Sequence, residues 1–120
     1  MSATSSRFVT ITEVGTRDGF QAEKEQISVA DKVAVIDALI DAGLRSVEAT
    51  SFVSPRALPQ LADAADVMAQ VQRKPGVKLA VLVPNARGAE RAAAAKADVM
   101  VGFISASESH CKTNLNKTID

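Results

Sequence analysis

Apolar and polar positions alternate along the chain in blocks of about thirty residues, the length of one strand–helix unit. Apolar runs predict four strands, at residues 8–14, 45–50, 77–83 and 98–104. Three stretches with helical spacing separate them: one that begins after Ser28, one at residues 61–73 and an alanine-rich one at residues 86–95. The order βαβαβαβ predicts a parallel α/β sheet.

Local signals set the boundaries of the first helix. Ser28 is placed to cap its start, with Asp31 completing a box-like cap, and Gly43 sits where a C-terminal glycine belongs. The positions expected to face the sheet are Val29, Val33, Ile36 and Ile40.

The later segments are less regular. We expect Leu61, Ala65 and Met68 to share one face of the second helix, which Pro75-Gly76 ends. Residues 105–120 read as a polar loop that opens a helix near its end.

Composition excludes several classes of protein. Hydrophobic residues make up 47% of the 120, the formal net charge is +0 and aromatics are only 3%, so the chain reads as a soluble globular protein without a nucleic-acid or membrane partner. No apolar run reaches the roughly 18 residues of a membrane span. A single cysteine, Cys111, excludes an internal disulfide, and the short polar start resembles no signal peptide, so we expect a cytoplasmic protein.

Two strand ends carry candidate chemistry. Arg17 and Asp18 stand side by side in a glycine-flanked turn after the first apolar run, and Glu48 lies at the end of the second. A carboxylate such as Asp18 can ligate a hard divalent metal, and a guanidinium can stabilise an oxygen anion. An ordinary solvated ion pair is the alternative interpretation of Arg17 and Asp18. Asn85, Ser107 and Glu108 follow the third and fourth strands, so all these residues should meet at one edge of the sheet.

Several strings together resemble the 3-hydroxy-3-methylglutaryl-CoA lyase family, part of a group of metal-dependent carbon–carbon lyases and Claisen-type synthases. They are Arg17-Asp18-Gly19 with Gln21, Ala42-Gly43-Leu44, Glu48-Ala49-Thr50-Ser51-Phe52-Val53-Ser54-Pro55, Pro59-Gln60, Val83-Pro84-Asn85 and Ser105-Ala106-Ser107-Glu108. The resemblance runs over residues 9–119, and its most specific string is Ser51-Phe52-Val53-Ser54-Pro55.

The resemblance implies a TIM barrel, which in full needs about 250 residues. We therefore expect a single partial domain over residues 1–120: the amino-terminal half of a (β/α)8 barrel, from a protein that is a homo-oligomer at full length. A four-stranded open sheet that is complete as it stands is the alternative.

The resemblance also implies a reaction and roles for residues. The reaction is retro-Claisen cleavage of an acyl-CoA substrate, with Mg²⁺ or Mn²⁺ as cofactor, in the breakdown of leucine or a related branched-chain route. Asp18 would ligate the metal near the reacting hydroxyl, Arg17 would stabilise the enolate-like oxygen, and Glu48 would orient the site through Arg17 or serve only as a buried structural acid. The residues expected to contact substrate are Gln21, Ser51, Phe52, Asn114 and Thr118.

Some residues depart from the family pattern. Lys117 stands where a cysteine is usual and Thr118 where a serine is usual. The adjacent His110 and Cys111 match neither the family's later His-X-His motif nor its later cysteine loop, so we read them as ordinary loop residues.

Two other functions stay open. One is a related Claisen-type synthase of the isopropylmalate or homocitrate kind, acting on another acyl-CoA or a 2-oxo acid. The other is a non-catalytic fragment or interaction module that keeps the fold without the site.

Overall fold

The computed structural model describes residues 7–119. Its elements in chain order are a π-helical turn at Gly15–Gly19, α1 Phe20–Ala22, α2 Val29–Asp41, β1 Ser46–Ser51, a 3₁₀ turn at Pro59–Leu61, α3 Ala64–Gln70, β2 Lys78–Val83, α4 Ala86–Ala94, β3 Val99–Gly102 and α5 Glu108–Leu115.

The three strands form a parallel sheet in the order β1-β2-β3, which confirms the predicted α/β class. Ser46 pairs with Lys78 at the start of β1, and Ala80 pairs with Val99 at the start of β3. The β1–β2 register shifts between Glu48 and Thr50. A bulge of this kind bends a strand and re-aims side chains, and such bulges are common beside active sites.

The strand predicted at residues 8–14 is wrong except at Glu13, which forms a single parallel bridge with Val47. The alignment of this segment with β1 explains why residues 8–11 form no strand. The Thr12 hydroxyl donates to that of Ser46, the first residue of β1, at 2.9 Å, so residues 8–11 run past the beginning of β1. They have no strand to pair with among the described residues, and Phe8 is 98% exposed.

The core lies between the sheet and helices α2, α3 and α4. Ile36 and Ile40 are buried as predicted, and they pack with Val47, Phe52, Val67, Met68, Leu79, Val81 and Ala92. The prediction for α3 was partly wrong: Ala65 is exposed, and Ala64 and Val67 take the buried positions. A 3₁₀ turn and a short non-helical stretch lie between Leu58 and the start of α3, and they do not follow the 3.6-residue repeat of an α-helix. The spacing counted from Leu61 therefore does not give the buried face of α3.

The predicted caps of α2 are confirmed. The Ser28 hydroxyl accepts the Asp31 N–H at 3.1 Å, and Gly43 adopts φ +106°. The N–H groups of Gly43 and Leu44 donate to the carbonyls of Ile40 and Leu39, which is a Schellman ending that leads the chain directly into β1.

A buried ion pair fastens α2 to the connection after β1. The Lys32 side chain is 3% exposed, and its ammonium donates to both Asp63 carboxylate oxygens at 2.8 Å and to the Gln60 carbonyl. Near the end of α2, hydrogen bonds from Lys74 and then Gln72 hold the pKa of Asp41 below its ordinary value.

The last segment is more helical than predicted. Ser107 caps α5, and Asn116 ends it with a left-handed φ of 54°. β3 is shorter than the predicted strand at both ends. Before it, Asp98 donates its N–H to the Leu79 carbonyl and accepts the Leu79 N–H through its side chain, and after it Ile104 is 63% exposed. Within residues 7–119, no helix is long and apolar enough to cross a bilayer.

Candidate functional site

Arg17 and Glu48 meet where the π-helical turn packs against β1, and Glu48 is the third residue of this strand and not, as predicted, at its end. Arg17 Nε donates to Glu48 Oε1 at 2.6 Å, and the hydroxyl of the buried Thr16 donates to the Glu48 carbonyl at 2.9 Å. At the beginning of the turn, the N–H groups of Arg17 and Asp18 both donate to the Val14 carbonyl. Side chain and backbone thus fix the guanidinium against the strand. π-Helical turns are rare and are frequent at functional sites.

Arg17 also contacts Asp18, but the two carboxylates differ in exposure. Arg17 Nη1 lies 3.0 Å from Asp18 Oδ1, and the Asp18 side chain is 69% exposed against 8% for Glu48. Glu48 is therefore an internal support for the guanidinium, whereas Asp18 faces solvent. Arg17 Nη2 makes no hydrogen bond within residues 7–119, so one end of the guanidinium is open to a ligand.

Arg17 lines a cleft of about 480 Å³, here called the Arg17 cleft. Gln21 and Asn114 line it too, so the fold brings together three of the predicted site residues from widely separated parts of the chain. Its other walls are Val53, Ala57, Leu58, Leu82, Pro84, Phe103 and Thr113. The cleft lies at the carboxyl ends of the parallel strands, the usual place for sites in α/β folds.

The other predicted substrate contacts do not line the Arg17 cleft. Ser51 is 1% exposed, and its hydroxyl accepts the Val53 N–H at 3.3 Å. Phe52 is also 1% exposed and belongs to the core, because the chain turns its ring under α4. The Thr118 carbonyl faces the Cys111 thiol at 4.0 Å. Ser51 and Phe52 thus form the support beneath the site.

Residues after the later strands have structural partners. Asn85 caps α4 by accepting the Gly88 N–H at 2.9 Å, and Ser107 caps α5. Glu108 accepts the Ile119 N–H at 3.2 Å. The His110 ring contacts the Ser105 hydroxyl, and Cys111 is fully buried.

Asp18 fits one position in a divalent metal site. Its Oδ1 accepts from Arg17, while Oδ2 has no partner among the described residues and is open to solvent. Exposed carboxylate oxygens are the ligands that Mg²⁺ and Mn²⁺ prefer. Residues 7–119 contain no group of three His, Cys, Asp or Glu side chains that could hold a metal, so this part of the chain does not form a complete site by itself.

A second cleft, of about 660 Å³, was missed by the sequence analysis. We call it the arginine cleft, because Arg56, Arg87 and Arg91 line it together with Phe52, Ser54, Pro55, Asn85 and Gly88. The sequence carried a signal for it: Arg87 and Arg91 lie four residues apart, on one face of a helix. The alanine content of that helix had suggested close packing alone.

The chain matches the family model described as HMGL-like over residues 8–120. It is 50% identical over 114 residues to a mitochondrial hydroxymethylglutaryl-CoA lyase of Arabidopsis thaliana, covering 95% of this chain and 24% of that protein. The HMG-CoA lyase structure from Brucella melitensis is 54% identical, with a TM-score of 0.88 over 92% of this chain and 39% of that one.

A third relative carries bound ligands. The HMG-CoA lyase of Acinetobacter baumannii, solved in complex with coenzyme A and 3-methylmalate, is 35% identical with a TM-score of 0.92, covering 99% of this chain and 39% of that one. These solved lyases are TIM barrels, which agrees with the predicted architecture. The chain spans about a quarter to two-fifths of the length of these proteins, and it belongs to the HMGL-like family.

Proposed function

We propose that the whole protein to which this chain contributes cleaves 3-hydroxy-3-methylglutaryl-CoA to acetoacetate and acetyl-CoA. The observation that carries this proposal is the Arg17 guanidinium, fixed by Glu48 at 2.6 Å and lining a cleft with Gln21 and Asn114. The naming of relatives from plants and bacteria as hydroxymethylglutaryl-CoA lyases supports the choice of substrate.

The chemistry needs a base and a group that stabilises an enolate. The base removes the proton of the tertiary hydroxyl, the bond between carbons 2 and 3 breaks, and its electron pair passes to the thioester carbonyl as the enolate of acetyl-CoA. Protonation of carbon 2 then gives acetyl-CoA, and the former hydroxyl carbon becomes the ketone of acetoacetate.

In this proposal Arg17 stabilises the enolate oxygen. Its Nη2 has no partner among the described residues, and its Nε is already held, so no reorganisation is needed when charge develops. Glu48 acts as a positioning residue, because it touches Arg17 and lies 8% exposed behind it.

Asp18 would be one oxygen ligand of a divalent cation, completed by residues outside this chain. Such a cation would acidify the substrate hydroxyl and polarise a carbonyl oxygen. Gln21 and Asn114 have amide side chains that can donate and accept hydrogen bonds, and from the walls of the Arg17 cleft they would orient the acyl group and its thioester arm.

Product analysis of the full-length protein tests this proposal. The protein is incubated with 3-hydroxy-3-methylglutaryl-CoA and, separately, with acetyl-CoA plus 2-oxo acids, with Mg²⁺ or Mn²⁺ or after chelation. We expect equimolar acetoacetate and acetyl-CoA, and loss of activity on chelation. Condensation of acetyl-CoA with a 2-oxo acid and release of free coenzyme A, without cleavage of 3-hydroxy-3-methylglutaryl-CoA, would instead identify a Claisen-type synthase.

A further inference from the structure

We propose that Gln60 is a positioning residue, which holds two walls of the Arg17 cleft at a fixed distance from each other. It lies in the 3₁₀ turn at Pro59–Leu61 and does not itself line the cleft. This inference rests on the proposed function, and it adds a residue that acts on the substrate only through Gln21.

The first of these walls is α1, and packing does not fix its position. α1 has only three residues, Phe20–Ala22, and none of them is buried. Its middle residue, Gln21, lines the Arg17 cleft. The π-helical turn before α1 is held by the contacts of Arg17 and Thr16 with Glu48. A segment with few buried contacts opens easily, so the far end of α1 depends on hydrogen bonds from outside it.

The side chain of Gln60 supplies such a hydrogen bond. Its Nε2 donates to the carbonyl of Glu23, the residue that ends α1, at 3.2 Å. Ala57 and Leu58 also line the Arg17 cleft, and they precede Gln60 in the connection after β1. One hydrogen bond thus joins α1, which carries Gln21, to the connection that forms the second wall of the same cleft.

The main chain of Gln60 is anchored to α2. Its carbonyl accepts hydrogen bonds from the Lys32 ammonium and, at 3.5 Å, from the side-chain amide of Gln26. The Lys32 side chain is 3% exposed, and both carboxylate oxygens of Asp63 hold its ammonium at 2.8 Å. A buried charge with its partners in place is costly to displace, so Gln60 has a fixed origin from which its side chain reaches Glu23.

The two contacts of Gln60 can be separated by mutation, because the anchor uses its main-chain carbonyl and the link to α1 uses its side-chain amide. Gln60→Leu keeps a side chain of similar size and the anchor, but it loses the donor to Glu23. Glu23 is exposed, so water can replace the lost donor. The substitution should therefore loosen α1 without unfolding the protein.

A change in the position of Gln21 should appear in the rate of the chemical step. In the proposed function Gln21 orients the acyl group, and misplacement of a positioning group by about 1 Å can lower a rate about 10²-fold. The substrate keeps its other contacts, so its binding should change less than its orientation.

Steady-state kinetics of the full-length protein with 3-hydroxy-3-methylglutaryl-CoA test this role. We expect Gln60→Leu to lower kcat about tenfold and to change KM less than about threefold. In a Gln21→Ala background, Gln60→Leu should have almost no further effect, because the side chain through which it acts is already absent. An unchanged kcat in Gln60→Leu, or an equal loss in both backgrounds, would contradict the proposal.

Gln72→Leu is the matched control. Gln72 is partly buried, as Gln60 is, and its Nε2 also donates to a main-chain carbonyl, that of Asp37, at 3.0 Å. It precedes β2, at the end of the sheet opposite to the Arg17 cleft. Both kcat and KM should therefore be unchanged in Gln72→Leu. A loss of kcat as large as in Gln60→Leu would show a general effect of losing a buried amide, and would count against a positioning role.

Hydrogen exchange of the full-length protein tests the contact without turnover. Gln60→Leu should speed exchange of the backbone amides of residues 19–25 about threefold or more, whereas Gln72→Leu should not. Unchanged exchange in Gln60→Leu would overturn the proposal. A wild type that cleaves no 3-hydroxy-3-methylglutaryl-CoA, with faster exchange in Gln60→Leu, would refute the proposed function and leave the link between the two walls standing.

Discussion

Arg17 shows how a single residue acquires a defined orientation from two neighbours of different exposure. Glu48 lies 8% exposed and binds Nε, while Asp18 lies 69% exposed and binds Nη1. The sequence suggested that Glu48 works through Arg17, and the structure makes that contact at 2.6 Å. Asp18 points outward to solvent, whereas Glu48 is buried behind Arg17, so the two carboxylates have different roles. The sequence does not show this difference in exposure.

Replacing Arg17 with glutamine in the full-length protein should lower kcat with 3-hydroxy-3-methylglutaryl-CoA about 10²-fold or more, with little change in KM. The reason is that the guanidinium would meet its full negative partner only when the enolate forms. Steady-state assays of acetyl-CoA release measure both constants. A variant that keeps more than half of the wild-type kcat would exclude this role.

Asp18→Asn should act through the metal. Removing one anionic oxygen from a hard-cation site weakens binding, so the Mg²⁺ or Mn²⁺ concentration for half-maximal activity should rise, and calorimetry should show weaker metal binding. Asp31→Asn is a matched control, because Asp31 is an exposed acid engaged with Ser28 at the start of α2. An unchanged metal titration in Asp18→Asn would show that this carboxylate is not a ligand.

At the scale of elements, prediction succeeded where local residues decide the structure. Ser28 and Gly43 fix the ends of α2 through their own hydrogen bonds and backbone angles, so their effect is readable in sequence. The prediction of a strand before Glu13 was wrong because a strand also needs a neighbouring strand in register, and β1 begins only at Ser46. The prediction of which face of α3 is buried was partly wrong for a similar reason, since the 3₁₀ turn before the helix has a different number of residues per turn.

A substitution at Gly88 tests how closely α4 packs against the loop that contains Phe52. Gly88→Ala should destabilise the protein by about 1–3 kcal/mol, because the new Cβ meets a proline ring and a backbone carbonyl, neither of which moves easily. This cost exceeds the gain of up to about 1 kcal/mol that alanine brings to a helix. Denaturant unfolding of the full-length protein measures the difference.

Gly19→Ala is the matched control for Gly88. Gly19 has helical backbone angles, and a Cβ added to it would meet no atom of the described residues within 4 Å, so this change should be neutral or slightly stabilising. Equal effects of the two substitutions on the free energy of unfolding would contradict the close approach of α4 to the Phe52 loop.

At the scale of the whole molecule, the site depends on connections that meet only through the fold. Arg17, Gln21 and Asn114 come from opposite ends of the chain and line one cleft, which follows from parallel strands whose carboxyl ends share an edge. The resemblance to the family predicted that these residues lie near substrate. The alternation of strand and helix patterns along the sequence predicted that the strands are parallel. For the arginine cleft, the sequence showed only that Arg87 and Arg91 share a helix face. That Arg56 joins them depends on the fold, which brings the loop after β1 against α4.

The isolated 120-residue chain should have no measurable lyase activity and should self-associate, aggregate or remain partly ordered. β3 leaves one edge of the sheet unpaired within the described residues, and along the other edge of β1 only Glu13 makes a bridge. Apolar side chains lie exposed beside these edges, including Phe8, Ile11, Met100 and Ile104. Unpaired edges next to exposed apolar surface promote association between chains.

Light scattering and thermal unfolding of the purified 120-residue chain, together with a lyase assay, measure this outcome. A stable, cooperatively melting monomer that cleaves 3-hydroxy-3-methylglutaryl-CoA would overturn it entirely. A stable monomer without activity would refute only the argument from the sheet edges. The argument from the metal would stand, because residues 7–119 contain no group of three side chains that could hold a cation, and too few ligands do not hold Mg²⁺ against water.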